Sequence, residues 1–234
     1  MKDAYGAETA QHYAAYRPPL HERILALSLA PEERFELGLD VGCGTGHSTH
    51  AAARWCKRII GIEPDPAMLA ICKPAPTITF LEMDDRLDQG FFDGSFDLAT
   101  FAGSLFYRDP AETLQELSWL LTKQATIIVY DFDVLLEPFF RILSFVPPPN
   151  NYDHNRNFTG VDYPFLEERQ TLQNQLAFAA SATEVTHLLL SVSDWRSCLL
   201  AKFTQREMAK LIEATLGPKI ELIAEVFLSR YLLR

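Results

Sequence analysis

The sequence predicts an α/β fold: a seven-stranded, mostly parallel sheet with helices on both faces and a helical, irregular insertion after the fifth strand. Three observations carry this expectation. From Phe35 to Phe132, short β-rich runs alternate with helical stretches. The runs are almost continuously apolar, as strands of a parallel sheet covered on both faces must be. A glycine-rich segment, "GCGTG" at 42–46, follows the first run directly, where sheets of this kind bring backbone against a ligand.

Taken in order, "FELGLDV" (35–41) is the first strand and "HSTHAAARWC" (47–56) a helix whose small residues pack toward the sheet. "RIIGIE" (58–63) is the second strand. "DPAMLAIC" (65–72) opens a helix with an early proline, where its missing N–H costs nothing. "ITFLEM" (78–83) and "DLATFA" (97–102) are the third and fourth strands. "DPAETLQELSWLLT" (109–122) repeats apolar residues at helical spacing, and "ATIIVYDF" (125–132) is the fifth strand. Beyond Asp133 the rhythm breaks into a helix and an irregular, aromatic-rich loop. The spacings Ser181-x-x-Glu184 and Thr204-x-x-Glu207 are capping boxes. They predict helices over 182–191 and 205–215, the second stopped by Gly217-Pro218. "NQLAFAA" (174–180) and "KIELIAEVFLSRYLL" (219–233) complete the seven strands. We expect a single domain over 1–234, with 133–172 inserted as a lid over the substrate.

The chain has 234 residues, 48% of them hydrophobic, and a formal charge of −10. That balance disfavours nucleic acid or an anionic membrane as the main partner, since both require a clustered basic surface. No run approaches the roughly 18 apolar residues of a membrane span, and the N-terminal residues lack the apolar core of a signal peptide. Cys43, Cys56, Cys72 and Cys198 match neither a zinc site nor a disulfide framework. We therefore expect a cytoplasmic protein with reduced thiols and no metal.

Three glycine-loop chemistries compete. A nucleoside-triphosphate loop ends in Gly-Lys-Ser/Thr, whereas Gly46 is followed by His47 and Ser48. A dinucleotide fingerprint is G-x-G-x-x-G, and here His47 falls where the third glycine belongs. Asp40, two residues before Gly42, would also repel a pyrophosphate by several kcal/mol at an effective dielectric of about 20. The same carboxylate suits a ligand with an ammonium and a sulfonium, as in S-adenosylmethionine. Glu63 closes the second strand, where an acid takes ribose hydroxyls.

"LDVGCGTG", "IGIEPDPAML", "DDRLDQGFFDGSFDLATF" and "LLTKQATIIVYDF" together resemble the class I S-adenosylmethionine-dependent methyltransferases, in the broad methyltransferase-type-11 group with its Rossmann-like sheet. The resemblance implies that Asp40, Gly42, Gly44 and Gly46 hold the methionyl moiety and Glu63 the ribose. It implies Asp85, or Asp84 if the loop is shifted by one, at the adenine amino group, and Pro64 and Met68 flanking the ring. Backbone at Phe101 and Ala102 would border the sulfonium. The Tyr16-Arg17-Pro18 segment looks like the N-terminal segment of small-molecule members, which implies Tyr16 and Arg17 among the cofactor-binding residues.

Many such proteins carry a histidine after the fourth strand, but this chain reads "FAGSLFYRDP" there. Tyr107, Arg108 and His154 are the candidates for acid–base help, whereas His12, His21, His50 and His187 read as ordinary helix residues. The tetrad of amino-directed nucleic-acid methyltransferases is missing. The insertion's Phe139, Phe140, Phe145, Tyr152, Phe158, Tyr163 and Phe165 suit a lid over a small apolar acceptor, a homodimer contact or extra core. Arg141, Arg156 and Arg169 also allow an acceptor that bears a carboxylate. The expected activity is methyl transfer to an oxygen or nitrogen of a small molecule. The rivals are a catalytically silent, methyltransferase-like protein that binds cofactor or partner, and an NAD-dependent oxidoreductase.

Overall fold

The computed structural model describes residues 7–83, 87 and 94–234. Seven strands, β1 (Phe35–Val41), β2 (Cys56–Glu63), β3 (Ile78–Glu82), β4 (Phe96–Ala102), β5 (Leu121–Val134), β6 (Leu166–Ala180) and β7 (Ile220–Leu233), form one sheet. Their order is β3-β2-β1-β4-β5-β7-β6. The pairs β1–β2, β1–β4, β2–β3 and β4–β5 are parallel. The Arg234 N–H donates to the Phe165 carbonyl at 2.8 Å, joining the end of β7 to the start of β6, so these two run antiparallel. The sheet is mixed but mostly parallel, as expected. Strand order reverses between β1 and β4, and a crevice opens at such a switch point, outside the carboxyl ends of the strands.

Nine α-helices are described: α1 (Ala7–Ala15), α2 (His21–Leu25), α3 (His47–Ala52), α4 (Pro66–Leu69), α5 (Pro110–Leu120), α6 (Glu137–Ile142), α7 (Ala182–Leu190), α8 (Ser193–Leu200) and α9 (Gln205–Leu216). Asp-Pro opens two of them by one device. Asp65 accepts from the Ala67 N–H at 2.8 Å and Asp109 from the Glu112 N–H at 2.9 Å, each with proline next in line. Both capping boxes are formed, Ser181 with Glu184 and Thr204 with Glu207.

Several boundaries differ from expectation. The helix expected over 47–56 ends at Ala52, because Trp55 turns into the core and its indole N–H donates to the Ala30 carbonyl at 3.0 Å. The chain is already extended at Cys56. The helix after β2 is four residues long; Pro74 lies close downstream and the residue before a proline is biased to extended backbone. The strand expected over 174–180 begins at Leu166. Its first half, "LEERQTLQNQ", is polar because β6 is the last strand in the sheet order and most of this stretch is not buried. The irregular part of the insertion accordingly ends at residue 165. Helix α8 has no side-chain cap, and no sequence signal announced it.

The chain divides into two compact units. The first comprises residues 1–18, 133–151 and 175–225, and the second 19–132, 152–174 and 226–234. The first holds α1 and α6–α9. There Phe139 and Phe145 are buried, and Phe140 meets Trp195 edge to face at 5.1 Å. The second holds β1–β4 with α2–α5, and its core joins Leu39, Phe96, Phe101, Leu117, Ile127 and Tyr231. Phe158 is buried in that core between Phe101 and Tyr231. Phe139, Phe145 and Phe158 of the expected lid are therefore core residues. No helix among the described residues is long and apolar enough to cross a membrane.

Candidate active site

The second unit assembles a polar cluster at the carboxyl ends of β1, β2, β4 and β5. Asp40 is the first surprise. Expected to face the crevice, it is fully buried, and three hydroxyls close on it. Ser48 and Thr49, from the first turn of α3, donate to Oδ2 at 2.6 and 2.7 Å, and Thr100 donates to Oδ1 at 2.7 Å. Thr100 lies beside Asp40 in the β1–β4 register, so one carboxylate ties two strands to the helix between them. Burial pushes its pKa above the ordinary carboxylate range, outweighing the three donors. The carboxylate is thus a buried brace beneath the glycine loop, held by three hydroxyls of the protein itself.

The loop itself is shaped by two different demands. Gly42 has φ +70°, and a Cβ there would stand 2.5 Å from the Ser104 Cβ. The Ser104 hydroxyl donates to the Val41 carbonyl, so the segment after β4 is pressed against this glycine. Gly44, at φ +54°, would point a Cβ into open space. Packing within the protein demands Gly42; at Gly44 only the left-handed backbone and an approaching ligand do.

Glu63 sits beside that open position. Its Oε2 accepts from the Gly44 N–H at 3.0 Å and its Oε1 from the Asp65 N–H at 3.1 Å. It is nearly buried, and desolvation raises its pKa. Cys43 and Cys72 lie 3.9 and 3.3 Å from the Gly44 carbonyl, and all four cysteines are free thiols.

Residues 39–129 match the family model described as "Methyltransferase domain". Over these residues the chain is similar to methyltransferase domains. A segment of 145 residues is 34% identical to trans-aconitate 2-methyltransferase of Escherichia coli, covering 60% of this chain and 56% of that protein. The chain spans about half the length of the curated relatives it matches. A structure from Anaeromyxobacter dehalogenans, assigned as a candidate type II methyltransferase, superposes with a TM-score of 0.66 at 18% identity, over 92% of this chain and 96% of that one. The N-methyltransferase NodS of Bradyrhizobium japonicum, solved with S-adenosyl-L-homocysteine, gives 0.51 at 17% identity, over 97% and 98%. At these identities the likeness is one of fold.

The remaining expected residues fall in different places. Gly42, Gly44 and Glu63 cluster as described, while a Cβ on Gly46, at φ +84°, would stand 2.8 Å from the Phe80 ring. Phe101 is buried in the core, while Ala102 is half-exposed at the end of β4. Pro64 is exposed and Met68 is buried, so the two do not present equivalent faces. Asp84 and Asp85 lie outside the described residues. Tyr16 and Arg17 belong to the first unit. There the Arg17 guanidinium covers the Tyr13 ring at 4.7 Å. The Tyr16 hydroxyl is buried with no hydrogen-bond partner among the described residues, and burial followed by Glu184 pushes its pKa up to about 12.

The three acid–base candidates separate cleanly. Arg108 is committed to α5, with its guanidinium 2.6 Å from Glu116 and 3.2 Å from the Thr113 hydroxyl. Tyr107 is part-exposed, its ring 5.3 Å from Phe106 and 6.1 Å from Tyr152. His154 is paired with a strand-end acid: its Nδ1 lies 2.8 Å from Oδ2 of Asp131, near the end of β5. The sequence reading of "ATIIVYDF" passes over Asp131, although an acid near the end of an apolar strand is the signal that marks Asp40 and Glu63.

Proposed function

We propose that the protein transfers a methyl group from S-adenosyl-L-methionine to an oxygen or nitrogen of a small molecule. The observation that supports this most is the open space at Gly44 beside Glu63, at the β1–β4 switch point. The residues present fit the donor. A left-handed glycine without a Cβ lets main chain approach the methionyl group, and Glu63 offers a carboxylate to a ribose diol in exchange for its bond to the Gly44 N–H. Asp40 acts from below, holding β1, α3 and β4 so that the loop keeps its shape. Ala102 ends β4 where backbone would border the sulfonium. Pro64, Met68, Asp84 and Asp85 keep the roles the resemblance implies.

When bound, S-adenosylmethionine supplies an electrophilic methyl group and leaves as the neutral thioether. The protein's own part is alignment and exclusion of water, since such displacements are governed by the geometry of attack. The name of the Escherichia coli relative points to a polycarboxylate acceptor for that enzyme. For this chain the supported class is a small molecule, consistent with the small cleft at the ends of β4 and β5 and with the net charge of −10. Tritiated methyl passing from the donor into a metabolite extract, with S-adenosylhomocysteine formed in step, is the expected result. Tight donor binding with no label transferred to any metabolite would contradict an enzymatic role and leave a binding protein.

A further inference from the structure

We propose that His154, oriented by Asp131, is the general base that takes the proton from a neutral hydroxyl of the methyl acceptor, such as a phenol or enol; this rests on the methyl-transfer reading above. The two residues line a small, open cleft with Gly103, Phe106, Tyr152 and Arg156. All of these belong to the second unit.

The cleft adjoins the donor loop through a single segment. Ser104 is pressed on Gly42, and a Cβ on its neighbour Gly103 would stand 3.0 Å from the Tyr152 hydroxyl and 3.1 Å from Oδ1 of Asp131. Tyr152 in turn donates to the Gly103 carbonyl at 2.7 Å. Residues 103–104 thus touch the glycine loop on one side and the histidine–aspartate pair on the other. A donor and an acceptor bound on either side of that segment are neighbours.

The pair is built for orientation. Asp131 uses Oδ1 to accept from the Phe132 N–H at 2.8 Å and Oδ2 to hold Nδ1 of His154. The imidazole also packs against Tyr152 at 4.6 Å and stacks with Phe227 at 6.4 Å and 17°. With Nδ1–H donated to the carboxylate, the lone pair of the neutral ring resides on Nε2.

That arrangement selects an acceptor class. A carboxylate acceptor has no proton to lose at neutral pH and gains nothing from a base. An ammonium would meet the positive charge that Arg156 adds to the rim, while Asp131 is held by the Phe132 N–H and His154. The ionisable groups facing His154 are Asp131, Tyr130, Tyr152, Asp153 and Arg156. The rings of Phe106 and Tyr152, 4.4 Å apart, give the cleft a flat aromatic wall. In the step itself, Nε2 takes the hydroxyl proton as an oxygen lone pair forms the new O–CH3 bond. The electrons of the broken carbon–sulfur bond pass to sulfur, and the imidazolium returns its proton to solvent.

The test begins with calorimetry of the wild-type protein with S-adenosylmethionine; absence of binding would defeat the methyl-transfer reading itself. Given binding, S-adenosylhomocysteine formation is measured with simple phenols, primary amines and tricarboxylates as probes across pH 6–9. Turnover is expected with phenols. His154→Ala should lower it by about 100-fold with the KM for the donor unchanged, lose the acid limb of kcat/KM, and recover with added imidazole. Asp131→Asn, removing a positioning residue, should shift that limb, and the 15N spectrum of His154 should lose its Nδ1–H tautomer. No turnover of the phenols, whatever the other probes give, overturns the proposal. So does an unaltered pH profile in His154→Ala.

Discussion

Ser48, Thr49 and Thr100 all direct their hydroxyls at the carboxylate of Asp40, so truncating it leaves three buried donors without an acceptor. Asp40→Ala should lower stability by at least about 2 kcal/mol, read as a lower urea midpoint. An unchanged midpoint with weakened donor affinity would restore a ligand-facing aspartate. The pH sign is fixed by the raised pKa. A carboxyl whose folded value lies above its unfolded value contributes stability that is full below the unfolded pKa and lost as pH rises through the folded one. The gap between wild type and Asp40→Ala should therefore narrow from pH 4 upward. Tyr16 offers a complementary case. Its hydroxyl is buried without a partner among the described residues, so Tyr16→Phe should leave stability within about 0.5 kcal/mol, because replacing an unpaired polar group by an apolar one of the same shape is nearly neutral. Absorbance titration should lose a tyrosinate component near pH 12; loss of more than 1 kcal/mol in that variant, against the near-neutral expectation, would mean the hydroxyl has a partner. At this scale sequence marks where an acid lies but not where it points. Asp40 is legible as a strand-terminal acid, yet its donors come from a helix start and from a strand 60 residues away.

The glycine loop is the element on which structure and ligand meet. Gly44→Ala places a methyl group in open space at a left-handed φ, so it should fold with a loss of about 1–2 kcal/mol while obstructing the donor. Gly42→Ala drives a Cβ into Ser104 and should destabilise more. Circular dichroism melts of the two variants check the order, and the reverse order would contradict the division of roles. Helix α7 tests the capping reading. Ser181→Ala breaks a box in which the Ser181 N–H and the Glu184 carboxylate meet at 2.7 Å, and should cost about 1 kcal/mol in urea unfolding. Both boxes were legible because their signal is local, four residues with fixed chemistry. The start of β6 was illegible for the opposite reason. "LEERQTLQNQ" is extended because it pairs along the sheet, and its mostly unburied side chains leave no apolar alternation to detect.

Across the whole molecule, the strand–helix alternation of residues 35–132 was enough to give a mostly parallel sheet covered by helices, while the strand order comes from the structure. The neighbourhood of the proposed donor residues was equally legible, because Gly42, Gly44, Gly46 and Glu63 lie at or just after the ends of consecutive strands. The acceptor half was not. It depends on His154 from an irregular segment meeting Asp131 of β5, a contact between residues 23 apart that no spacing rule predicts. The central claim is that bare main chain at Gly44 beside Glu63 receives S-adenosylmethionine and not a dinucleotide. Calorimetry of wild type and Gly44→Ala with S-adenosylmethionine, S-adenosylhomocysteine and NAD tests it most directly. The account predicts that wild type binds the first two and not NAD, and that the folded alanine variant binds them at least about tenfold more weakly, a loss of about 1.4 kcal/mol. Binding of NAD by wild type, or undiminished donor binding by Gly44→Ala, would contradict it.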